Sequence, residues 1–335
     1  MTDMTATRGF EDFWRQLRGP TRFTPAMLRS PRFRAHIRDL VSGAPVAGFR
    51  VTGAITTIKD LKKHLDYISR DGTLVLHARD HEQVVGRDEI RQRAEDWRDD
   101  KFDFFERRSR IAYSMVLSMP AGSSRQAVFD AGLDFAHSHL DRSAFLVAQH
   151  DDAPHPHLHV CLRAQADDGS SIQFGPSDLH RLRGAFAEHL KERGVAATDA
   201  PRWARGVVEK PLAPSVHLME REHLDGLAPE PRYVEADINE AFAIVRGDDC
   251  AKRPWEQRIR LTQQAVRDRY LQIADDLERL GGDEDRTLAD QVRGFVADMP
   301  AVLTRRERRV EEARTMEASR SIIERHRGVD MEREL

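Results

Sequence analysis

Apolar positions between residues 48 and 194 change repeatedly between strand-like and helix-like spacing. Residues 48–57 are rich in β-branched side chains, which predicts a strand. Leu61, Leu65 and Ile68 recur at the spacing of one helical face, so residues 61–70 are predicted to form an amphipathic helix that Asp71-Gly72 ends. Apolar runs predict further strands at 111–120, 144–150 and 155–164, and helices are predicted at 86–101, 123–139 and 177–194, the last with Ser177 as its N-cap.

This order of elements predicts an α+β fold with a mixed or antiparallel sheet, because helices separate the strands and the short loop 151–154 joins two of them. The segments PLAPS and LAPEPR indicate a linker at 211–232. Beyond it, a seven-residue apolar repeat from Ile259 to Leu280 predicts a helical hairpin or short coiled coil, ended by Gly281-Gly282. Another charged helix is expected to continue to Leu335. The expected divisions are a basic helical extension at 1–45, a compact domain at 46–210, the linker at 211–232 and a helical region at 233–335.

Composition is that of a soluble, core-forming protein, with 33% charged and 40% hydrophobic residues. The sequence contains no stretch of about 18 apolar residues that would span a bilayer, and its start lacks the apolar segment of a secretory signal. Cys161 and Cys250 are far apart, form no CxxC pair and indicate no disulfide framework. We therefore expect a cytoplasmic location without membrane insertion.

The net charge of −3 does not by itself indicate a nucleic-acid partner. Residues 1–50, however, contain nine arginines against four acidic residues, a balance of +5. Local basic faces decide phosphate binding, so the charge pattern permits a nucleic-acid partner without requiring one.

The sequence HDDAPHPHLHV places four histidines between positions 150 and 159. Alternate residues of a strand share a face, so His157 and His159 project from the same side about 6–7 Å apart along the chain. A third ligand to a metal ion has two candidates, His155 on the same strand and His150 at the end of the preceding one. Geometry favours His150, because side chains from two adjacent antiparallel strands converge on a triangle, whereas three from one strand lie in a line.

Three neutral imidazoles leave coordination positions open for a substrate oxygen. A cation held there can polarise a phosphoryl group, and imidazole ligands suit Mn²⁺, Zn²⁺, Co²⁺ or Ni²⁺ better than Mg²⁺. Asp152 is placed to orient a ligand histidine through its second ring nitrogen. The alternative interpretation is a group of surface histidines at a strand edge.

A candidate nucleophile comes from the predicted helix at 61–70. Tyr67 falls off the apolar stripe, shares its face with Lys63 and His64, and is followed by Arg70 three residues later. Cationic neighbours favour the phenolate form of a tyrosine, which helps a nucleophile. The alternative is a tyrosine that packs at the edge of the core.

Three blocks in this order resemble the relaxases, the plasmid mobilisation nucleases of the HUH endonuclease superfamily. LKKHLDYISRDG (61–72) resembles the helix with the catalytic tyrosine, and SMVLSMPAG (114–122) is similar to the family's central strand, although Met119 replaces the usual aromatic residue. HDDAPHPHLHV resembles the metal motif, onto which His150, Asp152, His157 and His159 map, with His155 outside the pattern. RWARG (202–206) is similar to the arginine-rich end of the domain, and the resemblance covers roughly residues 45–206.

The resemblance implies a ferredoxin-like HUH palm with a mostly antiparallel central sheet covered by helices. It also implies that Tyr67, with Asp152 in the catalytic site, attacks a phosphodiester of single-stranded DNA at a transfer origin. A 5′-phosphotyrosyl protein and a free 3′-OH result, which initiates conjugative transfer or mobilisation. The cofactor would be Mn²⁺ or Mg²⁺, with other transition metals as alternatives, and relaxosome accessory and secretion-coupling proteins are candidate partners. Phosphate contacts are expected from Lys62, Lys63, Arg70, Arg202 and Arg205.

Two other functions stay open on sequence grounds. HPHLHVCL (155–162) superficially fits a histidine-triad nucleotide hydrolase, but Pro156 fits that pattern poorly and the reading gives His150 and Tyr67 no role. A non-catalytic DNA-binding accessory protein is the second alternative. Replication initiators and transposases that use the same chemistry are separated from relaxases only weakly by the sequence.

Overall fold

The computed structural model describes residues 13–19, 22–97, 110–208, 214–229, 231–248 and 253–318. The chain forms two compact units. The sheet unit contains the residues up to Ala200 together with 276–292, and the helical unit contains 201–275 and the residues from Arg293 onward. Within the described ranges, no helix combines the length and the apolar character needed to cross a membrane.

A six-stranded sheet lies at the centre of the sheet unit. Its strands, in chain order, are β1 (Gly48–Ile55), β2 (Leu76–Ala78), β3 (Gln83–Val84), β4 (Ala112–Ser118), β5 (Phe145–His150) and β6 (His157–Arg163). Their spatial order is β1-β4-β6-β5-β2-β3, and every adjacent pair is antiparallel. This confirms the predicted α+β class and the antiparallel character of the sheet.

Helices account for most of the remaining described residues. They are α1 (residues 13–18), α2 (Pro25–Arg29), α3 (Pro31–Val41), α4 (Ile58–Ile68), α5 (Arg87–Asp96), α6 (Arg125–His139), α7 (Pro176–Glu192), the 3-10 helix η1 (Arg202–Arg205), α8 (Pro214–Leu224), α9 (Arg232–Val245), α10 (Pro254–Leu280), α11 (Asp283–Ala297) and α12 (residues 305–318). One boundary between the two units lies between Ala200 and Pro201, and the other two fall inside α10 and α11.

Helices cover both faces of the sheet. On one face, α6 and α7 contribute Phe135 and Phe186 to a core cluster with the strands. On the other face, α4 and α5 contribute Leu65 and Ile90 to a cluster that includes Cys161 of β6. Because β5 and β6 are buried on both faces, their sequences are continuous apolar runs and not alternating ones.

The hydrophobic pattern does not predict β2 and β3, because strands of three and two residues are too short for an alternation to be recognised. The prediction that Ser177 caps α7 is wrong. Gly175 is the N-cap, Pro176 occupies the first turn, and the Gly175 backbone N–H donates to the Asp178 carboxylate at 2.9 Å. Proline suits this position because the first helical N–H groups have no partner inside the helix.

The prediction of one charged helix after Gly282 is also wrong. Helix α11 ends at Ala297, and α12 begins after Thr304. Pro300 lies between them and cannot continue a helix, because it has no backbone N–H. The part of that prediction that falls on residues 319–335, and the expectation for Cys250, lie outside the described residues.

The helical unit is organised around the middle of α10. The seven-residue apolar repeat of this helix buries Val266, Tyr270 and Ile273. The Tyr270 hydroxyl donates a hydrogen bond to the Ala204 carbonyl at 3.0 Å. Glu256 is only 5% exposed and accepts a hydrogen bond from the Thr304 hydroxyl at 3.0 Å. Helix α8 lies within the segment 211–232 that the sequence indicates as a linker.

We expect Leu65→Ala to lower the free energy of unfolding by about 2–5 kcal/mol, because it would leave a cavity under α4 where Leu65 is fully buried. Lys59→Ala on the same helix removes an exposed side chain and should change it by about 0.5 kcal/mol or less. Thermal or denaturant unfolding measures both. Equal stability of the two variants would contradict the packing described for α4.

Candidate active site

The three histidines of the sequence motif meet at one end of β5 and β6. Antiparallel pairing places His150 opposite His157, and His159 opposite Ala148. Their nearest ring nitrogens all lie within 4.8 Å of one another. Alternate residues of a strand face the same side of the sheet. His150 therefore shares its side with Ala148, and His157 and His159 share theirs with Cys161. All three histidines face the cluster covered by α4. His155 lies outside this triangle and is exposed.

Burial keeps two of the three imidazoles, those of His150 and His159, mainly uncharged near neutral pH. His150 is 1% exposed and His159 is 8% exposed. Burial lowers the pKa of His159 to about 3, and the neighbouring His150 and His157 contribute to this as potential like charges. Burial also lowers the pKa of His150; the hydrogen bond to Ile68 opposes this, and Arg70 adds to it. Neutral imidazoles have the lone pair that a metal ion requires.

Backbone carbonyls select one tautomer for two of these rings. The Nε2 atom of His150 lies 2.8 Å from the Ile68 carbonyl, so Nε2–H donates there and Nδ1 keeps the lone pair. The Nδ1 atom of His157 lies 3.3 Å from the His155 carbonyl, which leaves the lone pair on Nε2. Neutral nitrogen donors held by outer hydrogen bonds fit a divalent transition-metal ion, and His150, His157 and His159 are the residues that would hold it.

Tyr67 projects from the end of α4 beside this triangle. Thr57 caps the start of the helix, and the buried Leu61, Leu65 and Ile68 attach its apolar face to the sheet. Tyr67 falls off that face and is 52% exposed. The centroid of its ring lies 5.9 Å from that of His150 and 5.5 Å from that of His159. The predicted nucleophile is therefore accessible and adjacent to the histidines, and it does not pack in the core.

His64 lies beside Tyr67 as expected, but it is not the cationic neighbour that the sequence predicts. Its ring stacks against Tyr67 with centroids 6.4 Å apart. Burial lowers the pKa of His64, so it is mainly neutral at neutral pH and does not favour the phenolate by charge. Among the described residues, its buried Nε2 atom has no hydrogen-bond partner. Sequence spacing alone indicates the proximity of His64 to Tyr67 but not this burial.

Arg70 is predicted only as a phosphate contact, but in the structure it lies among the candidate site residues. Its guanidinium donates to the Asp152 carboxylate, and Nη2 lies 3.3 Å from Nδ1 of His150. The Cζ atom lies 5.4 Å from the centroid of the Tyr67 ring, within the range of a cation–π contact. The spacing of three residues predicts the contact with Tyr67. No local pattern indicates the contacts with Asp152 and His150, because they join the end of α4 to β5 and the loop after it.

Asp152 is exposed and lies 3.7 Å, through Oδ1, from Nε2 of His157. The sequence suggested that it orients a histidine through the second ring nitrogen. In the structure a backbone carbonyl, that of His155, faces Nδ1 of His157, and Asp152 faces the Nε2 side. The closest partner of Asp152 is Arg70.

The other predicted DNA contacts are distributed over both units. Lys62 forms an ion pair with Glu95 on α5, and Lys63 lies 3.8 Å from Asp60 with 68% of its side chain exposed. Both lysines are on the helix that ends near Tyr67. Arg202 and Arg205 are in η1, which belongs to the helical unit.

The arrangement therefore combines an exposed phenol, a triangle of imidazoles and a guanidinium. The triangle can hold a cation that polarises an ester oxygen, the guanidinium can bind an anion, and the phenol can attack an electrophile. A phosphodiester is one substrate group that can use all three functions.

Comparison with known sequences agrees with this chemistry. Residues 67–195, which include Tyr67 and all three histidines, match a family described as "Relaxase: MobA/VirD2-like, nuclease domain". The chain is also similar to proteins called T-DNA border endonuclease VirD2. It is 26% identical to that of Rhizobium radiobacter over 251 residues, which are 64% of this chain and 59% of the relative. It is 27% identical to that of Agrobacterium fabrum (strain C58 / ATCC 33970) over 209 residues, which are 56% of this chain and 46% of the relative.

The chain thus spans about half the length of these curated relatives. A solved structure described as "Molecular Basis of Vancomycin Resistance Transfer in Staphylococcus aureus" matches 47% of this chain and 99% of its own, with 11% identity and a TM-score of 0.28. A TM-score at this level carries no argument about the site. The sequence match is the finding that points to a family: residues 67–195 are similar to the nuclease domain of the MobA/VirD2-like relaxases.

Proposed function

We propose that this protein is a relaxase that nicks one strand of DNA at a specific site by transesterification, with Tyr67 as the nucleophile. The observation that carries the proposal is the position of Tyr67, exposed at the end of α4 with its ring 5.5 Å from that of His159. The relatives' name, T-DNA border endonuclease, and the family match support DNA as the substrate.

In the proposed reaction, the Tyr67 hydroxyl oxygen attacks phosphorus and loses its proton to solvent. The bond from phosphorus to the 3′ oxygen breaks, and that oxygen takes up a proton to give a free 3′-OH and a 5′-phosphotyrosyl protein. One phosphoester replaces another, so religation needs no ATP. A divalent cation on His150, His157 and His159 would stabilise charge on the phosphoryl oxygens. Arg70 supplies a positive charge beside the Tyr67 ring.

The biological setting forms part of the same proposal. We expect a single strand at a transfer origin as the substrate, in the cytoplasm, at the start of conjugative transfer or mobilisation. Relaxosome accessory and secretion-coupling proteins are the expected partners. The proposed catalytic and metal residues all lie between residues 46 and 210, so we assign nicking to that segment.

Tyr67→Phe should abolish a covalent DNA adduct while leaving the fold and the metal affinity unchanged, because it removes only the attacking hydroxyl. The measurement is denaturing electrophoresis and mass spectrometry after incubation with Mn²⁺ and single-stranded oligonucleotides that tile the DNA flanking the coding sequence. Tyr233→Phe, on α9 in the helical unit, is the matched control and should retain the adduct.

The attachment site also separates the alternatives. An acid-labile nucleotide on His157 would support a histidine-triad hydrolase, and DNA binding without any adduct would support an accessory protein. Either result, or an adduct on Tyr113, would contradict the assignment of Tyr67.

Replacing His150, His157 or His159 singly with Ala should weaken Mn²⁺ binding at least tenfold, because each removes one of three ligands. His155→Ala should have a small effect, since His155 lies outside the triangle. Isothermal titration calorimetry with Mn²⁺ measures the difference. Loss of binding in His155→Ala with retention in His150→Ala would show that the ligand set is wrong.

Affinity for single-stranded DNA should fall steeply with salt, because positive side chains replace counterions on the phosphates. Lys63→Ala should reduce the slope of log affinity against log salt by about 0.7, the value for one phosphate contact to a single strand. Arg142→Ala removes an equal charge near the opposite end of β5, with 69% of its side chain exposed, and should leave the slope unchanged. Equal slopes for the unmodified chain and Lys63→Ala would exclude this contact.

A further inference from the structure

The end of α4 adopts a backbone conformation that its residues do not favour. Arg70 has a φ of 52° and Asp71 a φ of 57°, both left-handed. The Asp71 N–H donates to the Asp66 carbonyl at 2.7 Å, and the Arg70 N–H donates to the Tyr67 carbonyl at 3.2 Å. This is a Schellman ending, in which the position of Arg70 is usually glycine because a Cβ atom is strained there. Backbone strain of this kind clusters at functional sites.

The two strained residues contact different parts of the molecule. The Arg70 guanidinium lies among Asp152, His150 and Tyr67. The Asp71 carboxylate instead accepts a hydrogen bond at 2.9 Å from Arg87 on α5. Arg70 therefore connects the left-handed turn to the site. Asp71 provides an internal comparison, because it is also left-handed but does not contact the histidines.

Arg70 interacts with the same lone pair of His150 that a cation would use. Nε2 of His150 is engaged by the Ile68 carbonyl, so Nδ1 is the nitrogen available as a ligand. Nη2 of Arg70 lies 3.3 Å from that atom. Arg70 also pairs with Asp152, whose carboxylate lies 3.7 Å from Nε2 of His157 and would otherwise attract a cation. Both contacts oppose cation binding, one by occupying a donor and one by neutralising a nearby charge.

We propose that Arg70 couples cation binding to DNA binding by competing with the cation for His150. The proposal rests on the proposed nicking function. A phosphate of the bound strand draws the guanidinium away from His150 and Asp152, because a bidentate arginine–phosphate pair is a strong charge-assisted interaction. The histidine triangle then binds the cation more tightly. By linkage, the cation increases the affinity for the strand by the same factor. Arg70 is thus a positioning residue whose backbone strain is retained for this exchange.

The test measures Mn²⁺ affinity by calorimetry in the Tyr67→Phe chain, which cannot form an adduct. Without DNA, adding Arg70→Gly should tighten Mn²⁺ binding at least tenfold and should not lower the melting temperature, because glycine relieves the left-handed strain. Arg70→Asn, which also tolerates this conformation, should tighten binding similarly. Asp71→Gly replaces the neighbouring left-handed residue by glycine without touching the site and should leave the Mn²⁺ affinity unchanged.

A second series adds the single-stranded oligonucleotide that forms the adduct on unmodified protein. It should raise the Mn²⁺ affinity of the Tyr67→Phe chain and leave that of Tyr67→Phe/Arg70→Gly nearly constant. Equal or weaker Mn²⁺ binding in both Arg70 variants without DNA overturns the competition, even if Tyr67 forms an adduct. Tighter binding in Asp71→Gly as well would mean that backbone strain, and not the guanidinium, sets the affinity. Absence of Mn²⁺ binding in every variant would instead overturn the metal-dependent function itself.

Discussion

The register in which β5 pairs with β6 is the constraint on which the candidate site depends. Because His150 lies opposite His157, the histidines of two strands converge on one face at the end of the sheet. A shift of one residue in β6 would turn His157 and His159 to the other face. The hydrophobic cores resist such a shift, since the same alternation places Leu158, Val160 and Leu162 in the cluster under α6 and α7. The packing of the core therefore also fixes the geometry of the histidine triangle.

Burial gives the histidines their chemistry at some cost to stability. The imidazoles of His150 and His159 lose water on the α4 side of the sheet and remain mainly neutral, which leaves their lone pairs free for a cation. The cost is reduced because carbonyls of Ile68 and His155 accept hydrogen bonds from two of the rings. One of these carbonyls belongs to the last residue of α4, so the helix that presents Tyr67 also orients His150. The proposed nucleophile and the proposed metal ligands are thus held by one set of contacts.

The strained turn at the end of α4 is a second link between the helix that carries Tyr67 and the histidine site. A left-handed Arg70 costs roughly 1–2 kcal/mol relative to a relaxed conformation, and the turn retains it beside another left-handed residue. Gly72 follows with a φ of 87°, and a Cβ atom there would lie 2.5 Å from the Arg87 backbone nitrogen. The close approach of α5 therefore determines the path of the chain after Tyr67. It also places the Arg70 guanidinium where it reaches Asp152 on the loop after β5.

Sequence patterns were sufficient for the features that depend on local periodicity. The two-residue spacing of His157 and His159 places them on one face of any strand, and the positions of Leu61, Leu65 and Ile68 place Tyr67 off the buried face of any helix. The α+β class follows from the order of such elements.

Tertiary structure alone decided which groups meet across long sequence separations. No local pattern predicts the contact of Arg70 with Asp152 or that of His150 with the Ile68 carbonyl, because each joins residues far apart in sequence. The burial of the His64 Nε2 atom is likewise not encoded locally. The physical reason is that periodicity determines the direction of a side chain, whereas its partners and its desolvation depend on strand register and on how closely the covering helices approach.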